Sequence, residues 1–318
     1  KSVSVTQPSN YDRFPFIPVS FDLGDLQLGW NEIAARLKVV ASSNATIAIE
    51  CYPGVDVAAL KSVLADTLRP ECLIDTQDLF KSVAEIDQMV LPHVTDDPVF
   101  GRLNGLVIDD FFASAKLAEA KRKVENRKGL AAIVGVGASL VAPEKDRVLV
   151  YADLARWEIQ MRQRRNEIGN LGVENLKARP SEKYKRAYFV DWRVADRLKK
   201  KLLNGFDFYL DTHVPSEPKM ITADIFHRGL KAAVSRPFRV VPFFDPGVWG
   251  GQWMKTVCDL PPDQPNYAWC FDCVPEENSL LLGLGSTRIE MPSINLVFRH
   301  PVELLGDRVH ARFGAEFP

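Results

Sequence analysis

No run in the 318-residue chain approaches the roughly 20 consecutive apolar residues that span a bilayer, and no leader-like pattern is read at its start. Cysteine is sparse. The five are Cys51, Cys72, Cys258, Cys270 and Cys273, an odd and scattered set that argues against a disulfide framework and for a reducing cytoplasm. Charge of one sign is also missing. A formal net charge of -1 gives bulk electrostatics nothing with which to recruit nucleic acid or an anionic membrane. Metal-ligand spacing is absent too. The histidines at 93, 213, 227, 300 and 310 form no H-x-H or H-x3-H, and no Q-x-H occurs. Cys270 and Cys273 make a C-x-x-C without the second pair that a zinc knuckle needs. The expectation is no metal site in this chain.

What is present is a chain with 46% hydrophobic and 25% charged residues, enough for one large or two ordinary domains. Residues 1–29, rich in proline and aromatics around Tyr11–Pro18, read as an extended arm, and Trp30–Val40 has helical spacing. Short apolar strands then alternate with amphipathic helices. Strands are expected at Ala45–Glu50, Cys72–Asp75, Gly105–Asp109, Leu130–Gly135, Val148–Ala152 and Asp207–Asp211. Helices are expected at Val57–Leu68, Phe112–Asn126, Leu154–Ile168, Val194–Leu203 and Thr222–Ala233. That alternation predicts an α/β fold with a mostly parallel sheet covered by helices on both faces. After Arg236 the helical period gives way to proline, glycine, tryptophan and short strands. The domain reading is therefore 1–40 for the arm and first helix, 41–235 for the α/β domain, and 236–318 for a β-rich segment. Within the last, Gly283–Gly285 reads as a hairpin loop.

The first strand runs into Glu50-Cys51-Tyr52-Pro53-Gly54-Val55-Asp56-Val57, where a phosphate-cradling loop would read G-x-x-x-x-G-K-[ST]. Here there is one glycine, no lysine in place, and Asp56 where a negative charge repels phosphate. Lys61 lies too far into the helix to serve. The surroundings nevertheless resemble uridine-kinase-like and nucleoside-monophosphate-kinase-like P-loop proteins over about Ala41–Thr212. The resemblance implies roles for a strand ending in Asp75, facing a phosphoacceptor, and for Asp109 and Asp110 holding magnesium. It also implies an Arg-rich lid at Arg156, Arg162, Arg164 and Arg165, followed by Lys183, Lys185, Arg186 and Arg193. Two readings compete. The acids can simply cap helices, and the arginines can form a solvated face with pairs such as Glu158–Arg162. Alternatively, the guanidinium groups, Arg186 included, recognise phosphate on a small sugar or nucleotide. His213, at a strand end, reads as a hydrogen-bonded turn residue rather than a base.

Arg239–Trp253, with Trp249-Gly250-Gly251, is followed by Tyr267–Asp272, Phe298–Gly306 and Phe313–Pro318. These pieces resemble the opening of type I phosphomannose isomerases. The family resemblance implies a partial cupin-like segment and a zinc-dependent exchange of mannose 6-phosphate and fructose 6-phosphate. The absent acid at Ala268-Trp269 departs from the family pattern, and the family's zinc ligands fall beyond Pro318. The chain is accordingly expected to be a piece of a longer isomerase-like polypeptide, with the rest of that polypeptide as a partner. Residues 41–235 would then be either a phosphotransferase or a non-catalytic sensor.

Overall fold

A computed structural model describes residues 16–41, 46–235 and 278–300. The chain divides into two compact units, one of residues 20–228 and one of residues 1–19 with 229–318. The strands are β1 Phe16–Pro18, β2 Leu26–Leu28, β3 Thr46–Cys51, β4 Cys72–Asp75, β5 Ala131–Gly135, β6 Arg147–Asp153, β7 Phe208–Asp211, β8 Lys219–Thr222, β9 Ser279–Leu284 and β10 Thr287–Pro292. The helices are α1 Gly29–Val40, α2 Val57–Leu68, α3 Val83–Val94, α4 Ile108–Phe111, α5 Ser114–Glu125, α6 Ala138–Val141, α7 Arg156–Arg164, α8 Pro180–Arg186, α9 Trp192–Leu202, α10 Ala223–Val234 and α11 Ile294–Arg299.

The larger unit is built on a seven-stranded mixed sheet in the order β2-β8-β7-β6-β3-β5-β4. Strands β7, β6, β3, β5 and β4 are parallel, whereas β8 and β2 continue antiparallel at one edge. Along the parallel part the first strand in the chain, β3, lies between the third and the fourth. Both common doubly wound orders instead set the first strand beside the second. All of β3 is buried, so helices must cover both faces. Ile47, Ile49 and Cys51 join a core with Ala132, Val134, Val150, Ala152, Leu60, Leu64 and Trp192. The alternate residues point the other way, where Glu50 reaches the start of α6.

Local chemistry explains most element ends. Asp56 accepts the Ala59 N–H at 3.0 Å and starts α2, and Arg69 in the left-handed region (φ 46°) ends it. Ser82 and Glu85 form a reciprocal capping box, with Ser82 N–H donating to Glu85 Oε2 at 2.9 Å. One expected strand is absent. Among the described residues Gly105–Asp109 pairs with no strand, and side chains satisfy its backbone instead. Leu106 N–H donates to Asn104 Oδ1 at 2.8 Å, Arg197 donates to the Leu106 carbonyl at 2.7 Å, and Asp110 Oδ2 caps Val107 N–H at 2.8 Å. With those groups taken, the chain turns into α4 rather than the sheet.

The segment expected as an arm contributes to both units. Leu26–Leu28 pairs with Ile221–Lys219 at the edge of the large sheet. Phe16–Pro18 pairs in parallel with Leu281–Gly283 in a separate three-stranded sheet, β1-β9-β10. There β9 and β10 form a hairpin in which Leu284 faces Thr287, with Gly285 at φ 60° in the two-residue turn. The expected hairpin loop thus starts two residues later, and Gly283 lies in β9 against the Phe16 ring, where a Cβ would clash. Among the described residues no helix is long and apolar enough to cross a membrane.

Candidate functional site

In open α/β sheets, ligands bind beyond the carboxyl ends of the strands, where successive connections depart in opposite directions. Here that point lies between β3, whose connection leads towards β4, and β6, whose connection leads towards β7. The carboxyl ends around it carry Glu50, Asp75, Asp153 and Asp211, on β3, β4, β6 and β7 respectively. Asp153 and Asp211 are register partners on adjacent parallel strands. A row of carboxylates is the wrong sign for a phosphate seat, and each one is met from within the fold.

Lys61 Nζ lies 3.2 Å from Asp75, which also caps the turn after β4 by accepting Gln77 N–H at 2.9 Å. Lys199, from α9, reaches Asp153 at 2.7 Å with both side chains buried. The same ammonium lies 4.9 Å from the centre of the Tyr52 ring and 5.6 Å from that of Tyr151. Burial lowers the Lys199 pKa below its ordinary value, and Asp153 opposes that shift. Beside this pair, Arg156 bonds Asp196 and stacks 4.9 Å over the Trp192 ring, and Tyr52 OH donates to Asp196 at 2.9 Å.

Asp211 accepts from His213 Nδ1 at 2.8 Å, and Ala155 N–H donates to His213 Nε2 at 2.7 Å. A backbone N–H can only donate, so Nε2 carries no proton and the imidazole is neutral. Both nitrogens are engaged, and the ring serves the loop rather than a substrate.

Glu50 turns into the opposite face. Its carboxylate accepts Gly137 N–H at 2.6 Å and Ser139 N–H at 2.8 Å, in a turn where Gly135 (φ 121°) and Gly137 (φ 83°) take conformations reserved for glycine. Burial pushes its pKa up to about 7, against the lowering effect of the Ser139 and Gly137 N–H groups.

The turn expected to fail as a phosphate loop is occupied by its own groups. Asp56 holds the α2 N–H described above, and the Gly54 carbonyl accepts Arg162 Nη1 at 3.0 Å. Arg162 also bonds Glu158 at 2.9 Å, the Thr212 carbonyl at 2.9 Å and the His213 carbonyl at 3.1 Å. It is therefore a buried clamp between two loops. Arg165 is half-exposed and pairs with Glu167 and Glu158. Arg186 is buried against Asp87 (3.0 Å), Asp191 (3.6 Å) and the Leu171 carbonyl. Arg164 is exposed. The structure brings Arg156 and Arg162 to the carboxyl ends of the strands, facing inward, and does not gather the arginines into one cleft. Of the later basic residues, Lys183 is buried among the carbonyls of Gln163 (2.5 Å) and Leu176 (2.7 Å), and Arg193 lies over the Tyr188 ring.

Asp110 caps α4 and Asp109 is exposed on the same helix, so neither ends a strand as expected. Among the described residues no group of three or more His, Cys, Asp or Glu side chains could hold a metal ion. Trp249, Gly250 and Gly251, the C-x-x-C and the motifs around Tyr267 and Phe313 lie outside the described residues. Phe298 and Arg299 close α11, His300 is its C-cap, and the rest of the Phe298–Gly306 motif lies outside the described residues.

Sequence reasoning named the Glu158–Arg162 pair, which forms at 2.9 Å, but missed the acceptor of Arg156, the carbonyls that Arg162 meets and the seat of Glu50. The alternation in ATIAIE puts Glu50 on the face opposite Ile49, a legible sign that it does not lie in the loop. The capping box at Ser82–Glu85 would have found α3. A family model described as a domain of unknown function (DUF8485) matches residues 29–235. No curated protein matches the chain.

Proposed function

We propose that this chain, which belongs to the DUF8485 family, carries in residues 29–235 a P-loop-kinase-like domain that does not transfer phosphoryl groups and serves its polypeptide as a non-catalytic domain. The likeness is supported by the order of elements. A central strand (β3), a turn and a helix (α2) are followed by the strand ending in Asp75, two further parallel strands and the Arg-rich α7.

The observation that carries the loss of transfer is the Tyr52–Val57 turn. A phosphate seat offers free N–H groups and the positive end of a helix. At α2 the Asp56 carboxylate already takes that place, and the Gly54 carbonyl is turned to Arg162. No lysine stands in the turn, Lys61 being spent on Asp75. The carboxylates at the strand ends add repulsion to any phosphate that approaches.

Titration calorimetry with magnesium and ATP tests this. The expected result is no saturable heat at millimolar nucleotide. Binding at micromolar concentration, abolished by Lys61→Ala, the lysine nearest the turn, but not by an exposed substitution such as Val39→Ala, would restore the phosphotransferase reading. The isomerase reading of residues 236–318 rests on their motifs alone and concerns the polypeptide around them. Its test is turnover of mannose 6-phosphate with zinc, expected only when residues beyond Pro318 are present.

A further inference from the structure

Apolar side chains exposed on a well-tied backbone need a different explanation from those on a loose one. Leu91, at 66% exposure, precedes a loop that holds Val99 (61%), Phe100 (68%) and Leu103 (67%) in solvent. That loop is fastened along its length. Lys185 donates to the carbonyls of Thr95 and Asp97, and Thr95 Oγ1 donates to the Phe100 carbonyl at 2.8 Å. Asp97 Oδ1 accepts the N–H groups of Val99 (2.7 Å) and Phe100 (2.6 Å), and Arg102 N–H donates to the His93 carbonyl at 2.7 Å. Gly101 sits so close that a Cβ there would lie 2.7 Å from the Phe189 ring. Thr95 takes φ 59° and ψ 173°, a conformation that is strained for a non-glycine residue. Chain bonded in this way cannot fold its apolar side chains inward, and it has already lost the entropy that binding would otherwise remove.

Size and charge select the occupant. With an aromatic side chain burying roughly 150–250 Å² and the three aliphatic ones somewhat less, four side chains about two-thirds exposed offer on the order of 400 Å². A stable dimer needs about 800 Å² from each partner, so the patch suits a short segment better than a second copy. Asp96 and Asp97 stand exposed beside it, Arg102 is the one exposed cation of the loop, and the Lys185 ammonium is buried against the loop's carbonyls, so the exposed face of the loop is net negative. The N–H groups of Phe100 and Val99 hold the Asp97 carboxyl below its ordinary pKa, keeping it ionised. A matching segment therefore carries Lys or Arg next to its apolar anchor.

The geometry points to Leu91 and the Thr95–Leu103 loop as a docking site for a short peptide segment of a partner protein, apolar at its anchor and basic beside it. The site uses none of the residues assigned to the strand ends and stands whether or not the domain binds nucleotide.

A displayed random-peptide library selected against the whole chain tests it, followed by fluorescence anisotropy on an enriched peptide. The expected consensus is an aromatic or aliphatic anchor flanked by Lys or Arg. Affinity should fall about tenfold or more in Phe100→Ala and in Leu103→Ala, fall severalfold in Asp96→Asn and with added salt, and stay unchanged in Val39→Ala. These side chains are exposed, so the urea midpoint should not move, and that measurement separates lost docking from lost folding. Failure to enrich any peptide, an acidic consensus, or binding indifferent to Phe100 and Leu103 would overturn the proposal. So would self-association in sedimentation that disappears in Phe100→Ala, because the occupant would then be a second copy.

Discussion

Replacing Lys199 by methionine keeps most of the buried stem and removes the ammonium that lies 2.7 Å from Asp153. Lys199 and Asp153 have side-chain exposures of 2% and 0%, so water cannot take over the lost role. Asp153 would keep the Leu154 N–H at 3.0 Å and the Tyr209 OH at 3.3 Å among its remaining contacts. Breaking a buried pair in this way costs about 3–5 kcal/mol. Against a typical total of about 5–15 kcal/mol, that is a large share. The assay is urea unfolding at neutral pH, read as a lower midpoint with an unchanged slope. A second variant separates charge from packing. Lys199→Met combined with Asp153→Asn leaves no unpaired charge and should regain about 1–2 kcal/mol over the single variant. A loss below about 1 kcal/mol in Lys199→Met, or a double variant weaker than the single, would refute the reasoning. Either result would mean that the Lys199–Asp153 pair is not what balances the buried charge there.

Glu50 gives a pH signature. Its folded pKa of about 7 lies above the ordinary 4.5, so its contribution is fully present below pH 4.5 and is lost as pH rises through 7. At 1.36 kcal/mol per pKa unit, the loss is about 3 kcal/mol. Glu50→Gln should flatten that part of the stability–pH curve in urea melts between pH 5 and 8, and an unaltered slope would show that the carboxylate is not the source. Asp56→Ala removes the α2 cap and should cost about 1 kcal/mol by the same melts. No change would mean that the Asp56–Ala59 bond is not formed in solution.

How far the fold could be read depends on the range of the interactions that set each element. ATIAIE, CLID, LAAIVG, VLVYA and DFYLD became strands because short, apolar, β-branched-rich runs bounded by turns suit little else. Val57–Leu68 was legible to the residue because Asp56 caps it locally. GLVID had the same composition as the true strands and did not join the sheet, because Asn104, Asp110 and Arg197 reached its backbone first. Arg197 is remote in sequence, and no local window contains it. The arginines failed as a phosphate cluster for a related reason. A guanidinium is committed by whichever acid or carbonyl the fold brings near, and Arg162 found the carbonyls of Gly54, Thr212 and His213.

Composition, period and turn chemistry alone determined the α/β class and the runs that became parallel strands, since each follows from contacts within a few residues. The placement of β3 between β5 and β6 was settled only by tertiary structure. So were the pairing of Phe16–Pro18 with a strand more than two hundred residues away and the burial of Lys199 on Asp153. A period-2 pattern states which face of a strand is apolar but not which strand lies beside it. A charge in a sequence states its sign, and its partner is decided only when the chain has closed around it.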